Sequence, residues 1–236
     1  MEAGLKDLHI HKIKLSEQVK VEVFKECKIF KDLSPREIRE LASFATPVVF
    51  SKGRFIFKDG DPSNFFYIVH EGLIQVYKIS SSGKNVTFTI AARGDTLNAS
   101  ALSVENYFVS TQAMNDVTVL RIGRKEFLAF VSRHANVAMG IIAIMAQRLN
   151  REYERIVDIV GEEVELRLVH SLCILAKKFG TTLSLTRQEL ANFAGTTTET
   201  TIRVLSKLKK KGVISCSASR GEVVISDLNK LQNYIL

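Results

Sequence analysis

Leu185-Thr-Arg-Gln-Glu-Leu-Ala-Asn-Phe-Ala-Gly-Thr-Thr-Thr-Glu-Thr-Thr-Ile-Arg-Val-Leu-Ser-Lys-Leu-Lys-Lys-Lys-Gly212 decides how this chain is read. Thr186 caps a short helix and Glu189, three positions on, completes a capping box. Leu190 and Phe193 fall on its inward side, and Gly195 permits a tight turn. Thr197 caps a second helix that shows Glu199 and Arg203 one turn apart and ends in Lys209, Lys210 and Lys211. Two short helices joined in this way, the second one basic, make a helix-turn-helix whose partner is double-stranded DNA.

The spacing predicts that Ile202, Leu205 and Leu208 pack inward. Thr198, Glu199, Thr201 and Arg203 are then left for the groove. Arg203 can donate two parallel hydrogen bonds to guanine O6 and N7, and Glu199 can accept from cytosine N4. A carboxylate facing DNA is repelled by phosphates, so Glu199 needs such a base donor or the support of Arg203 at i,i+4. Thr186, Arg187 and Thr197, at the helix starts, are also expected to contact the DNA. Lys207, Lys209, Lys210, Lys211 and Arg220 suit phosphates, which give affinity without sequence information.

Around this segment the pattern is also regular. Val213-Ile214-Ser215 and Glu222-Val223-Val224-Ile225 read as two strands about the polar turn Ser217-Ala218-Ser219-Arg220-Gly221. They form a wing, so the domain is a winged helix-turn-helix. A short helix, Asp227–Ile235, capped by Asp227, follows. Residues 162–180 form an amphipathic helix with Val164, Leu168, Leu172 and Leu175 on one face, stopped by Gly180.

Residues 134–160 contain no proline and place Ile142, Met145, Leu149, Ile156 and Ile159 on one stripe. The 3-4 spacing is that of a coiled-coil seam, with Glu152 at its polar position. Such a helix is about 39 Å long. It is either a core helix or a dimer seam. Arg148, Arg151, Glu152, Glu154 and Arg155 leave only a narrow stripe to bury, which favours a homodimer. Gly161 ends this helix and marks the domain boundary.

Upstream the period changes to two. Phe65–Val69, Leu73–Ile79, Val86–Ile90 and Val117–Ile122 read as short strands separated by Asp59-Gly60-Asp61-Pro62, Glu71-Gly72, Ser82-Gly83-Lys84 and Arg93-Gly94-Asp95. They predict a closed β-roll of the jelly-roll type. Residues 1–45 read as helical, with Ser34 as N-cap, Pro35 at the first position and Glu37 completing a capping box. The fold class is therefore α+β. It comprises a β-roll domain over 1–133, a dimerisation helix over 134–160 and a winged helix-turn-helix over 161–236.

Composition narrows the classes. The 236 residues are 46% hydrophobic and 25% charged, with a net charge of +8. The basic balance suits nucleic acid or an anionic surface. No stretch approaches the roughly 18 apolar residues of a membrane span. The opening MEAGLKDLHIHKIK lacks an apolar signal core, so a cytoplasmic protein is expected. Cys27, Cys173 and Cys216 form no CxxC pair, which argues against a zinc ribbon. There is no GxSxG, Walker-A loop or HExxH, so no enzyme is expected.

The chain resembles the CRP/FNR family of bacterial transcription regulators along nearly its whole length. The matching motifs are Phe30-Lys-Asp-Leu-Ser-Pro, Gly53-Arg-Phe-Ile-Phe-Lys-Asp-Gly-Asp-Pro, Phe66-Tyr-Ile-Val-His-Glu-Gly, Gly94-Asp, Leu185-Thr-Arg-Gln-Glu-Leu-Ala and Gly195-Thr-Thr-Thr-Glu-Thr-Thr-Ile-Arg-Val-Leu. The resemblance implies a cyclic-nucleotide-binding-type roll that switches a DNA-binding head, a palindromic operator and RNA polymerase as a partner. It makes Glu199 and Arg203 the base readers. Thr198 stands where cAMP-type members often carry Arg.

The effector site departs further. Cyclic-AMP binders of the family carry a Gly-Glu-Leu-Gly-like turn for the ribose and a nearby Arg for the cyclic phosphate. Here Asn98, Ala99 and Ser100 occupy the turn, with Ala99 at the Glu position. No Arg occurs near Tyr107, Ser110, Thr111 and Gln112. A buried phosphate without a cation is costly, so cAMP is not the expected effector. Three cysteines exclude an all-cysteine iron–sulfur cluster of four ligands. Three options stay open: a metabolite, haem sensing NO or CO, and an apo-active regulator. Haem needs an axial ligand, for which His70 and His134 are candidates, with His9 and His11 in the N-terminal arm. A ligand or haem sensor whose DNA contact is secondary is the alternative function.

Overall fold

The computed structural model describes residues 11–97, 104–216 and 222–234. The chain divides into two compact units, Met1–Lys78 with Phe88–Leu149, and Ile79–Thr87 with Asn150–Leu236.

The first unit begins with strand β1 (His11–Lys12), helix α1 (Glu17–Glu26), a 3-10 turn (Lys28–Phe30) and helix α2 (Pro35–Phe44). The capping box at α2 is as expected: Glu37 N donates to Ser34 Oγ at 3.3 Å and Ser34 N to Glu37 Oε2 at 2.7 Å. Strands β2 (Thr46–Phe50), β3 (Phe55–Phe57), β4 (Phe65–Glu71), β5 (Ile74–Ile79), β6 (Asn85–Ala91), β7 (Ser110–Ala113) and β8 (Val117–Gly123) follow. They form two four-stranded sheets, ordered β1-β2-β8-β4 and β3-β7-β5-β6. Pairing of His11 and Lys12 with Val49 and Val48 is a correction, since helix was expected throughout the N-terminal region.

Strands β4 and β8 are buried on both faces, which is why they read as continuous apolar runs. Phe66, Ile68, Leu120 and Ile122 meet the helices, in one core with Phe24, Phe30, Leu41, Phe127 and Phe130. The alternate residues Tyr67, Val69, Val117 and Val119 face the roll interior with Phe57, Ile74, Val76 and Tyr107. Two stacked ring pairs anchor these cores, Phe66 on Phe127 and Phe57 on Tyr107, each with centroids 3.8 Å apart. Burial pushes the Cys27 thiol up to about 12, so it is a neutral core residue.

Helix α3 (Arg124–Arg133) leads into the long helix α4 (Ala135–Gly161). Val137 and Ile141 join the helical core. Gly140 lets α4 approach the 3-10 turn closely: a Cβ there would lie 2.7 Å from the Ile29 carbonyl oxygen. No single described helix is long and apolar enough to cross a membrane.

Helix α4 begins in the first unit and ends in the second. The division between units at 149/150 differs from the boundary read at Gly161. The cause lies in the second half of α4, whose side chains are committed to the second unit. Arg155 donates to Phe193 O at 3.0 Å, and Asp158 pairs with His170 at 3.0 Å.

The second unit continues with α5 (Val164–Phe179), strand β9 (Thr182–Leu183), α6 (Arg187–Ala194), α7 (Thr198–Lys210), β10 (Ile214–Cys216), β11 (Val223–Ile225) and α8 (Leu228–Asn233). Gly180, at φ +85°, stops α5 as the sequence indicated. The wing strands β10 and β11 pair antiparallel, with Ile214 opposite Ile225. The short strand β9, not seen in the sequence, adds to β11 through Leu183 opposite Val223.

Candidate nucleic-acid interface

The helix-turn-helix forms at the predicted positions and for the predicted reasons. Glu189 N donates to Thr186 Oγ1 at 3.2 Å and Thr186 N to Glu189 Oε2 at 2.7 Å, closing the capping box of α6. Gly195 ends α6 in the left-handed region at φ +65°, where a side chain would be strained. Thr200 N then donates to Thr197 Oγ1 at 3.2 Å and starts α7.

The two helices are braced by side chains for which the sequence suggested other roles or none. Thr198 Oγ1 donates to Gln188 Oε1 at 2.6 Å, and Gln188 Nε2 donates to Asn192 Oδ1 at 2.8 Å. The Thr198 hydroxyl is thereby a positioning group between α6 and α7. Arg155 supports α6 from below. It donates to Phe193 O and, at 2.7 Å, to Thr87 O, and its guanidinium lies 5.8 Å from the Phe193 ring. Burial holds Arg155 below the usual arginine range.

The buried stripe of α7 is Thr201, Val204, Leu205 and Leu208. Thr201, expected at the groove, is fully buried, and Ile202, expected inside, is 49% exposed. Both are corrections with one cause. Threonine has the shape of valine, and α7 packs with the face one residue earlier than hydrophobicity alone selects. The Thr201 hydroxyl has no hydrogen-bond partner among the described residues.

Glu199, Ile202, Arg203, Ser206, Lys209 and Lys210 are exposed on α7. Among the described residues no ion pair joins Glu199 to Arg203. Arg187 is partly exposed at the first position of α6. Lys207 departs from its expected role: its ammonium lies 2.7 Å from Glu165 Oε2 in the first turn of α5. That hydrogen bond raises the Lys207 pKa. Tyr234 donates its hydroxyl to Glu165 as well, and Lys211 donates to Tyr234 Oη at 2.9 Å. A cleft of about 350 Å³ lies beside this network, lined by Glu163, Val164, Glu165, Thr200, Arg203, Val204 and Lys207. Arg220 lies outside the described residues.

The proposed effector residues have structural duties in the roll. Asn98, Ala99 and Ser100 lie outside the described residues. Tyr107 donates to Phe65 O at 2.9 Å. Ser110 Oγ accepts from Asp59 N at 3.0 Å, and Gln112 Nε2 donates to Gly53 O at 2.8 Å. Thr111 Oγ1 bridges the Phe57 N–H and carbonyl at 3.3 Å each. Only Thr111 and Ala113 of β7 are buried, so the period-two alternation turns Ser110 and Gln112 away from the roll interior.

The histidines also have other duties. His70 Nδ1 lies 2.9 Å from the Arg93 guanidinium, which itself pairs with Glu26 at 2.7 Å. Burial and the Arg93 cation hold His70 below its ordinary pKa. His134 Nδ1 lies 3.0 Å from Glu37, and its ring lies 4.2 Å from that of Phe130. His70 and His134 are each held through Nδ1, and His134 Nε2 is buried with no hydrogen-bond partner among the described residues. His11 belongs to β1, and His9 lies outside the described residues.

Comparison with known proteins agrees with both units. Residues 47–134 match the cyclic nucleotide-binding domain family, and residues 166–234 match the Crp-like helix-turn-helix domain family. This chain belongs to the CRP/FNR family of transcription regulators. It is 29% identical to the cyclic AMP receptor protein of Thermus thermophilus over 198 residues, 83% of this chain and 91% of that one. It is 27% identical to the nitrogen fixation regulation protein FixK of Azorhizobium caulinodans over 210 residues, 85% and 84% of the two chains. The solved structure of FixK2 from Bradyrhizobium japonicum shares the fold, with a TM-score of 0.72 at 22% identity over 80% of this chain and 96% of that one. In this CRP/FNR chain α7 is the second helix of the Crp-like helix-turn-helix domain.

Proposed function

We propose that the chain is a homodimeric transcription regulator that reads a palindromic operator through α7, with Glu199 and Arg203 as its base contacts. The observation that carries this is the exposed, mutually unpaired Glu199–Arg203 face of a capped helix whose other side is buried. In this reading Thr186, Arg187, Thr197, Lys209 and Lys210 contact phosphates. The exposed stripe of α4 supplies the dimer seam, and the two-fold axis sets the palindrome.

In this reading cAMP is not the effector of the roll. Its described buried polar side chains are uncharged, among them Ser63, Gln75, Thr111 and Thr118. A cyclic phosphate would therefore enter without a buried cation. A metabolite, haem with His134 Nε2 as the candidate ligand, and control by abundance are the readings that stay open.

Selection of bound sequences from random duplex DNA by the full chain tests the reading. An inverted repeat is expected, with half-sites about one helical turn apart. Arg203→Ala and Glu199→Ala are each expected to lose sequence preference and keep weak, salt-sensitive binding. Survival of sequence-specific binding in both variants would overturn the assignment. Saturating cAMP is expected to leave both the melting temperature and operator affinity unchanged.

A further inference from the structure

We propose that Glu165 is a phosphate mimic built into the DNA-binding head, a carboxylate that holds Lys207 and keeps it from the DNA backbone. The proposal rests on the reading of α7 as the DNA-reading helix. It concerns how strongly that helix grips duplex DNA of any sequence.

The helix concentrates positive charge, with Arg203, Lys207, Lys209, Lys210 and Lys211 in nine residues. Lys207 lies four residues after Arg203, on the same face and about 6 Å further along the axis. Both side chains line one cleft. A helix that sets Arg203 against bases therefore brings Lys207 towards the flanking backbone. Position alone marks Lys207 for a phosphate.

Its ammonium is already engaged by chemistry of the same kind. Lys207 Nζ donates to Glu165 Oε2 at 2.7 Å, the length of a charge-assisted hydrogen bond. The other carboxylate oxygen accepts from the Tyr234 hydroxyl. Lys211 Nζ donates to Tyr234 Oη at 2.9 Å and lies 4.4 Å from the ring centroid. The Glu165 side chain is 22% exposed and that of Lys207 52%, so the acid is seated in the fold and the lysine reaches out to it. Lys209 and Lys210 are exposed and form no ion pair among the described residues.

A phosphate that takes Lys207 must first displace this carboxylate. One charge-assisted bond is exchanged for another, and the freed Glu165 then faces the phosphate with like charge. Glu163, exposed in the same cleft, adds to the repulsion. The exchange gains little, so Lys207 stays on Glu165 and releases no counterion from the DNA. The sequence-independent grip is left to Lys209, Lys210 and the other phosphate contacts.

The test measures affinity of the full chain for a duplex of unrelated sequence as a function of salt. In Glu165→Gln the slope of log affinity against log salt is expected to steepen by about 0.9 for each head on the DNA. As counterion release alone, that is a gain of roughly fifteenfold per head at about 50 mM salt and roughly fourfold at about 200 mM. Affinity rises although the head loses an internal ion pair, which a purely structural role would not give. Glu163→Gln removes the same charge from the same cleft, frees no lysine and should leave the slope unchanged. The double variant Glu165→Gln/Lys207→Gln should return to the wild-type slope. Lys209→Gln should flatten it by about 0.9 per head.

An unchanged slope in Glu165→Gln would overturn the mask. So would equal steepening in Glu163→Gln, since net charge alone would then account for the effect. A double variant flatter than wild type would overturn it as well, because Lys207 would already lie on a phosphate in the native protein. That comparison does not depend on the folding of the single variant. In these three outcomes the reading of α7 stands. If Lys209→Gln and Lys210→Gln both leave the slope unchanged, α7 does not face DNA, and the reading and the mask fall together.

Discussion

Glu165, in the first turn of α5, is held 2.7 Å from the Lys207 ammonium and so ties α5 to the recognition helix. Burial alone would raise the Glu165 pKa. The hydrogen bonds from Lys207 and Tyr234 outweigh it and hold the carboxyl below 4.5. The folded state therefore binds fewer protons there than the unfolded chain. The stabilisation is present above about pH 4.5 and is lost as pH falls through the depressed value. Glu165→Gln should lower the melting temperature at pH 7, and its gap to wild type should close towards pH 4. Half-exposure of Lys207 keeps the gap modest and sensitive to salt. A gap that is constant between pH 7 and 4 would contradict the pairing.

Thr201 offers a change that stabilises. Its side chain is fully buried and its hydroxyl lacks a partner among the described residues. Burying an unsatisfied hydroxyl costs about 1–3 kcal/mol. Thr201→Val keeps the shape and removes that cost, so a rise of about 1 kcal/mol is expected in urea unfolding. Operator affinity should be unchanged. Loss of specific binding in a stably folded Thr201→Val protein would return this residue to the DNA-facing side.

The same helix shows what a sequence carries. Its start and its turn are local chemistry, written in Thr197 and Gly195, and were legible. Its rotation was not. Stripes beginning at 201 and 202 both follow helical spacing, and hydrophobicity favours isoleucine over threonine. Only the packing against α5 and α6 selects Thr201. Arg155 was likewise read as a polar flank of the seam, because its partners, the carbonyls of Thr87 and Phe193, are backbone atoms distant in sequence. The roll strands were legible from their turns. The two-residue β9 was not, since it exists only by pairing with β11. On β7 the resemblance pointed to Ser110, Thr111 and Gln112 alike, but alternation decides which of them face inward.

Gly140 and Gly161 separate helix propensity from packing within one helix. In α4, alanine is intrinsically favoured over glycine by about 1 kcal/mol. At Gly161 a Cβ would meet nothing within 4 Å, so Gly161→Ala should be neutral or stabilising. At Gly140 the Cβ would lie 2.7 Å from the backbone oxygen of Ile29, which cannot swing aside as a side chain could. Overpacking costs about 1–3 kcal/mol, so Gly140→Ala should lose stability on balance. Chemical unfolding of the two variants decides it. A stabilised Gly140→Ala would mean that α4 does not approach the 3-10 turn this closely.

Ile142, Met145, Leu149, Ile156 and Ile159 are between 43% and 57% exposed in the single chain, and Tyr153, Val157 and Val160 extend the apolar surface. Covering half a large aliphatic side chain yields about 1 kcal/mol, so ten such residues across a two-fold seam yield about 10 kcal/mol. Association costs about 4–15 kcal/mol. The favourable and unfavourable contributions are therefore comparable, and one buried charge per protomer should tip them. Ile156→Glu would set two like carboxylates near each other across the axis, and is expected to give a monomer in sedimentation equilibrium at micromolar concentration. Affinity for the palindromic operator should fall together with the dimer, since the two heads are then no longer linked. Ile174→Glu is the matched control. Ile174 is 51% exposed on α5, a different helix, and its replacement should leave the mass unchanged. A dimer that withstands Ile156→Glu would place the seam elsewhere.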